Sequence, residues 1–392
     1  MNLVDSYCTW RVAALVVAIG LTGSWSAGGP LPANEQALAA RAASLIPQLG
    51  HEEFARRQQA SRELEELGVA AKQALLAGLQ SQDAEVRARC RRILGAVLDL
   101  DLQNRLAQFS KDAAGETQPP LPGWERYRRD VGDDAASRAL FVQMLRAEPH
   151  LFEAAEGDPR SLGPLLQQRC DQLQQRSLET NTRGRQAIEI GSVAALFFIG
   201  SQNDVPVTDN FVSYLHTFSY QPAFRNAVAQ ADKAPPLRRI LGLWISRPAG
   251  SVNAYQNFML SLQFGLKEGL DSAITMLRDG GAQPHMAQYA MLLVGRFADR
   301  DAVPLVLPFL NDTNFLGSYN VNDKEVRTEL RDVALAVLVH LTEQDHASYG
   351  FDHLQKSSEM LFQPVTAGFT NPNDREAALA RWSRWAMANL KP

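Results

Sequence analysis

Residues 54–94, FARRQQASRELEELGVAAKQALLAGLQSQDAEVRARCRRIL, decide how the rest of the chain is read. Phe54, Ser61, Leu64 and Leu67 return near one face of a helix, while Arg56, Arg57, Arg62, Glu63, Glu65 and Glu66 supply its wet side. Gly68 ends that helix, because a residue without Cβ leaves right-handed geometry without a clash. Leu75, Leu76 and Leu79 then return an apolar face to it. Asp83 caps a further helix, whose Val86, Cys90, Ile93, Leu94 and Val97 continue the buried stripe. Three short amphipathic helices therefore share one core.

The same alternation recurs over residues 285–338. Met286, Ala290, Leu293 and Phe297 stand at helical offsets, with His285 at the start. Asp301 is read as opening a second helix, with Pro304 near its start and Val306, Phe309 and Leu310 facing its partner. After a polar, glycine-containing insertion at 311–322, the chain is expected to resume as a helix through Val326, Leu330, Val333, Ala334, Val337, Leu338 and Leu341. Asp374 is expected to cap a last helix that packs through Ala378, Leu379, Trp382, Trp385 and Met387 and covers the edge of the stack.

Between these regions, Gly115, Pro119, Pro120, Pro122 and Gly123 mark residues 110–123 as a linker. The apolar run Ile188–Ile199 reads as a central core helix, too short to span a membrane. The chain is thus divided into helices at 34–109, the linker, a divergent helical middle at 124–280, and helices with a cap at 281–392.

Residues 1–33 read separately. Arg11 precedes the apolar run Val12–Leu21, and Thr22, Gly23, Ser24 and Ser26 lead to small residues, the order of an export signal. Cleavage is placed near Ser26 or Ala27, with Pro32-Ala33-Asn34 as a later site and an uncleaved amino-terminal anchor as the alternative. Removal of the signal takes Cys8 with it and leaves Cys90 and Cys170, both read as packing side chains whose pairing the sequence leaves open.

Composition narrows function by exclusion. With 45% hydrophobic and 21% charged residues the chain is an ordinary globular protein, and 39 basic against 43 acidic residues lack the positive excess of a general nucleic-acid binder. Arg87, Arg89, Arg91 and Arg92 are distributed around their helix and read as a solvated face. His150, His216, His285, His340, His346 and His353 show no metal-ligand spacing, and His340 and His346 do not form half of HExxH. No catalytic, cofactor-binding or metal-binding residue is therefore assigned, and no cofactor is expected.

The Asp83-Ala84-Glu85-Val86-Arg87 start and its repeating helix pairs resemble a HEAT repeat. The stretch 333–342, the Tyr349-Gly350-Phe351 turn and the Trp382/Trp385 end also resemble exported planctomycete proteins with degenerate HEAT repeats. The resemblance implies an all-α fold, an irregular alpha-solenoid of antiparallel HEAT-like helix pairs. It further implies a noncatalytic protein-interaction scaffold in the periplasm or another exported space, with a protein partner of unknown identity. The alternative is an exported hydrolase whose site is assembled from distant loop residues.

Overall fold

The computed structural model describes residues 33–112, 119–178, 188–230, 234–247 and 254–390. Among them the fold is predominantly helical, with two small antiparallel hairpins. The chain divides between Leu162 and Gly163 into two compact units. The leader expected over residues 1–33 lies outside the described residues, apart from Ala33, which begins the first helix. No helix among the described residues is long and apolar enough to cross a membrane.

The first unit opens with α1 (Ala33–Leu45), α2 (Phe54–Leu67), α3 (Lys72–Gly78) and α4 (Ala84–Lys111). Leu45, Leu64, Leu75, Cys90, Ile93 and Val97 meet in their shared core, as the stripes in the sequence require. Gly68 stands at φ +56° and ends α2, and Asp83 accepts the Glu85 N–H at 2.8 Å to cap α4. A repeated arginine device locks these turns. Arg57 sends Nη1 to the carbonyls of His51 (2.7 Å) and Glu52 (2.8 Å), and Arg87 sends Nη1 to those of Ser81 (2.7 Å) and Gln82 (2.8 Å). Each arginine is the fourth residue of its helix, so the side chain reaches back over the incoming turn and satisfies carbonyls that no helix bond serves.

The helix α4 continues well past Val97, because Leu106 and Phe109 pack against the second half of the unit. That half holds α5 (Trp124–Asp130), α6 (Ala135–Ala147) and α7 (Pro149–Ala155). Rings of Phe109, Trp124, Tyr127, Phe141 and Phe152 form its centre, with Trp124 and Phe141 centroids 5.0 Å apart. The buried Arg138 lies over the Phe109 ring and gives Nη2 to the carbonyls of Phe109 and Asp112, both at 2.7 Å. Its charge thus finds carbonyl dipoles and a π face at the carboxyl end of α4. Gly123 is required at φ +78°: a Cβ there would stand 2.6 Å from the Phe152 ring.

The second unit contains α8 (Leu162–Leu178), α9 (Ile190–Gly200), α10 (Asp209–Ser219), α11 (Pro222–Ala229), α12 (Ala234–Ile245) and α13 (Ala254–Phe264). It continues with α14 (Leu270–Asp279), α15 (Pro284–Phe297), α16 (Val303–Val306), α17 (Leu330–Leu341) and α18 (Pro372–Asn389). The helix α9 is buried on every side from Gly191 to Gly200, which explains its uninterrupted apolar run. The helices α13, α14, α15 and α17 enclose a core in which Phe258, Leu277, Met291, Val333 and Val337 meet Phe351, Phe362 and Trp382.

Several local expectations differ from the structure: Met387, expected to pack in the last helix, is 85% exposed, and Phe54, at the first residue of α2, is 63% exposed. Residues 315–329 form a hairpin, β1 (Phe315–Val321) and β2 (Lys324–Glu329), so Val326 belongs to a strand and α17 starts at Leu330. The reason is local: Asn322 and Asp323 both adopt positive φ (49° and 58°), the conformation of a two-residue I′ turn, and Val326 and Thr328 point inward at a strand period. Asp299, rather than Asp301, caps the turn ahead of α16, and Asn371, rather than Asp374, caps α18. Both capping side chains accept the N–H two residues on, and Asp301 and Asp374 fall inside the first turn, where a carboxylate still favours the helix dipole.

A buried ion pair fastens α18 to the base of the hairpin. Arg375 donates Nε to Asp332 Oδ1 (2.8 Å) and Nη2 to Asp332 Oδ2 (3.0 Å) and to the Arg327 carbonyl (2.7 Å). Asp332 also accepts the Glu329 N–H at 2.8 Å, completing a capping box at the start of α17. Burial pushes the Asp332 carboxyl up to about 6, although Arg375 and the Glu329 N–H hold it down.

Cys90 and Cys170 are each buried, in different units, and no disulfide joins them. Burial pushes the Cys90 thiol up to about 11, which suits a packing side chain and not a nucleophile.

Candidate functional site

The densest group of perturbed polar side chains lies in the second unit, where α13 packs against α10, α12 and α15. Tyr255, in the first turn of α13, meets His285 and Tyr289 of α15, which share a helix face because they are four residues apart. The ring centroids are 5.8 Å (Tyr255–His285), 5.4 Å (Tyr255–Tyr289) and 5.2 Å (His285–Tyr289). Gln288 Nε2 lies 2.8 Å from His285 Nδ1 and orients the imidazole. At the end of α10, Tyr220 packs edge-on against His216 at 4.7 Å.

These phenols sense one another. Burial pushes Tyr289 up to about 12, with Tyr255 adding charge repulsion and a hydrogen bond and Tyr220 adding further repulsion. Burial likewise raises Tyr220, followed by the charges of Tyr255 and Glu359, with Arg225 acting in the opposite sense. The Tyr220 and Tyr289 hydroxyls stay protonated near neutral pH and offer donors. Burial lowers His216, so that this imidazole stays neutral.

Guanidinium groups border the rings. Arg225 of α11 pairs with Glu359 at 2.8 Å, and Glu359 stands between the short strands β3 (Lys356–Ser357) and β4 (Leu361–Phe362). Arg296 donates Nη1 to the Leu262 carbonyl at 2.6 Å and Arg238 donates Nη2 to the Gly265 carbonyl at 3.0 Å, so both serve the carboxyl end of α13. Gly265 makes this approach feasible at φ +62°: a Cβ would stand 3.2 Å from Arg296 Nη2. Burial lowers Arg296, Glu359 draws it back, and the neighbouring Arg238 adds to the lowering.

The helix α13 also carries polar atoms that burial leaves without hydrogen-bond partners: Gln256 Oε1, Asn257 Oδ1, Ser261 Oγ and both amide atoms of Gln263. His216 Nε2, on the adjoining α10, is another. An orphaned buried group is destabilising by about 1–3 kcal/mol, so such a concentration is unusual in a region that serves packing alone.

The histidines singled out in the sequence disperse. His216 and His285 join this cluster; His340 and His346 stack at 6.4 Å elsewhere, with His346 Nε2 against the Ala336 carbonyl at 2.9 Å; His150 lies beside Glu153 in the first unit. No group of three His, Cys, Asp or Glu side chains suited to a metal ion occurs among the described residues. The arginines of α4 are engaged locally: Arg87 on the turn carbonyls, Arg89 on Glu85 at 2.7 Å, and Arg92 near Glu65 at 3.7 Å. No motif or composition signal in the sequence singles out Tyr220, Tyr255 or Tyr289. The four-residue spacing of His285 and Tyr289 was the only local signal, since Tyr220 and Arg225 reach the cluster through tertiary contact. No family model, curated protein or solved structure matches the chain.

Proposed function

We propose that the chain is a noncatalytic protein-interaction scaffold of the cell envelope or exported space, built from degenerate HEAT-like helix pairs. Its contact surface is the face formed by Tyr220, Tyr255, His285 and Tyr289. The observation that carries this reading is the set of partly exposed, mutually packed phenol and imidazole rings drawn from α10, α13 and α15 beside arginine side chains. Such rings give large amphipathic contact area with little conformational freedom to lose, and Tyr and Arg are the residues that concentrate binding energy at interfaces. The repeated Arg57 and Arg87 device, together with short helices packed on their neighbours, supports the HEAT-like reading. Export rests on the apolar Val12–Leu21 run and the small residues after it.

The test is quantitative capture of a partner from the exported fraction by the immobilised chain. We expect saturable binding that Tyr255→Ala or Tyr289→Ala abolishes and that Phe54→Ser, on the first unit, leaves intact. Equal capture by all of these proteins overturns the assignment of the face. Metal-dependent or metal-independent turnover of exported peptides or polymers overturns the scaffold reading in favour of a hydrolase.

A further inference from the structure

We infer that this face binds an acidic peptide, and that Glu359 is the protein's own carboxylate competitor for it, an inference that rests on the scaffold reading above. Glu359 lies at the tip joining β3 to β4 and crosses 134 residues of sequence to reach Arg225. Its charge is felt by Tyr220 and by Arg296 as well. A single glutamate therefore pairs with Arg225 within electrostatic reach of a phenol and a second guanidinium, and it shows which chemistry the place accommodates. The backbone that presents it is constrained: Leu361, two residues on, stands at φ +69°, a conformation that a leucine rarely adopts.

Charge favours an additional acid. Arg225, Arg238 and Arg296 border the face, and only Arg225 has a carboxylate partner among the described residues. Arg238 and Arg296 each spend donors on a helix carbonyl and retain others, since a guanidinium carries five. The Arg225–Glu359 pair is half exposed on both sides, at 44% and 47%, and joined through one oxygen, so it is weak enough to exchange. An incoming glutamate or aspartate takes Arg225 from Glu359, accepts a hydrogen bond from the Tyr220 phenol O–H, and leaves its neighbouring side chains on the rings of Tyr255, His285 and Tyr289. The rings favour a peptide over a bare anion, because phosphate alone covers none of their apolar area.

The full chain is titrated, by fluorescence anisotropy, with a short labelled glutamate-rich peptide and with its glutamine-matched counterpart. We expect the glutamate peptide to bind selectively, Arg225→Ala to weaken it about tenfold or more, and Glu359→Gln to tighten it about two- to fivefold. Arg225→Lys, which keeps the charge, recovers part of the binding, and circular dichroism confirms that each variant is folded. Equal affinity for the two peptides, unchanged or weaker binding by Glu359→Gln, or displacement of the peptide by inorganic phosphate at equal charge overturns the inference. Failure here is distinct from failure of the scaffold reading: a partner retained by Tyr255 and Tyr289 without dependence on its glutamates sinks only the acidic-peptide assignment.

Discussion

Each unit contains an aromatic cluster beside an arginine, and the two clusters are built to opposite ends. In the first unit Phe109, Trp124, Tyr127, Phe141 and Phe152 are sealed, with Tyr127 and Phe141 at 0% exposure, and Arg138 is spent on two backbone carbonyls and a ring. In the second, Tyr220 is 38% exposed, the rings meet through phenols and imidazoles, and Arg225 holds a carboxylate that solvent also reaches. The same residue types therefore serve packing where every polar group is closed off by its own chain. Where rings and donors face outward, they are left open to a partner of the kind proposed above. Composition alone does not distinguish the two; the partners of the arginine do.

The largest effect that sharpens this contrast is Phe141→Ala, which should destabilise the first unit by about 3–5 kcal/mol in urea denaturation, as expected for emptying a sealed aromatic site. A loss below about 1 kcal/mol would mean that the cluster is not the core it appears from its burial. Gly123→Ala probes the same wall. Placing a side chain at positive φ against the Phe152 ring should lower stability by about 1–3 kcal/mol in the same measurement, with no change in partner capture. Tyr255→Ala should remove only about 1 kcal/mol of stability while abolishing capture, and a loss as large as that of Phe141→Ala would make the second cluster core as well.

The smallest effect concerns pH. Burial lowers the folded-state affinity of His216, His340 and His346 for protons, so each binds protons more readily when unfolded. Their contribution to stability is present above the ordinary histidine value, about 6.5, and is lost as the pH falls through the lowered folded values. Asp332, raised to about 6, works in the opposite direction: its contribution is largest below its ordinary value and is lost as the pH rises through about 6. Comparing melting temperatures of the wild type and His346→Gln between about pH 7 and pH 5 isolates one histidine. The variant should show the smaller drop on acidification; an equal drop would remove His346 from the account.

The helices of the first core were legible because their signals are short-range. The Leu64, Leu75, Cys90 and Ile93 stripe, the positive φ at Gly68 and the Asp83 cap each follow from residues within a few positions of one another. The 315–329 hairpin was legible in principle, since Asn322-Asp323 is a turn sequence flanked by the inward Val326 and Thr328, yet the apolar run beginning at Leu330 drew Val326 into a helix. The helix start read at Asp301 and the cap read at Asp374 differ for a similar cause. Several side chains near a helix start are competent to cap it, and backbone geometry selects Asp299 and Asn371. The face proposed for recognition was not legible, because Tyr220, Arg225, Tyr255, Tyr289 and Glu359 carry no common spacing.

Periodicity, turn chemistry and composition in this sequence determined a predominantly helical protein, with the Phe54–Leu94 helices and the buried run at Ile188–Ile199 already in place. Tertiary structure alone decided that Arg375 closes on Asp332 and that Arg225 meets Glu359, pairs separated by 43 and 134 residues. Local propensity acts over a turn or two of helix, whereas the convergence of charges and rings depends on how distant helices bury their apolar faces, and no short segment encodes that.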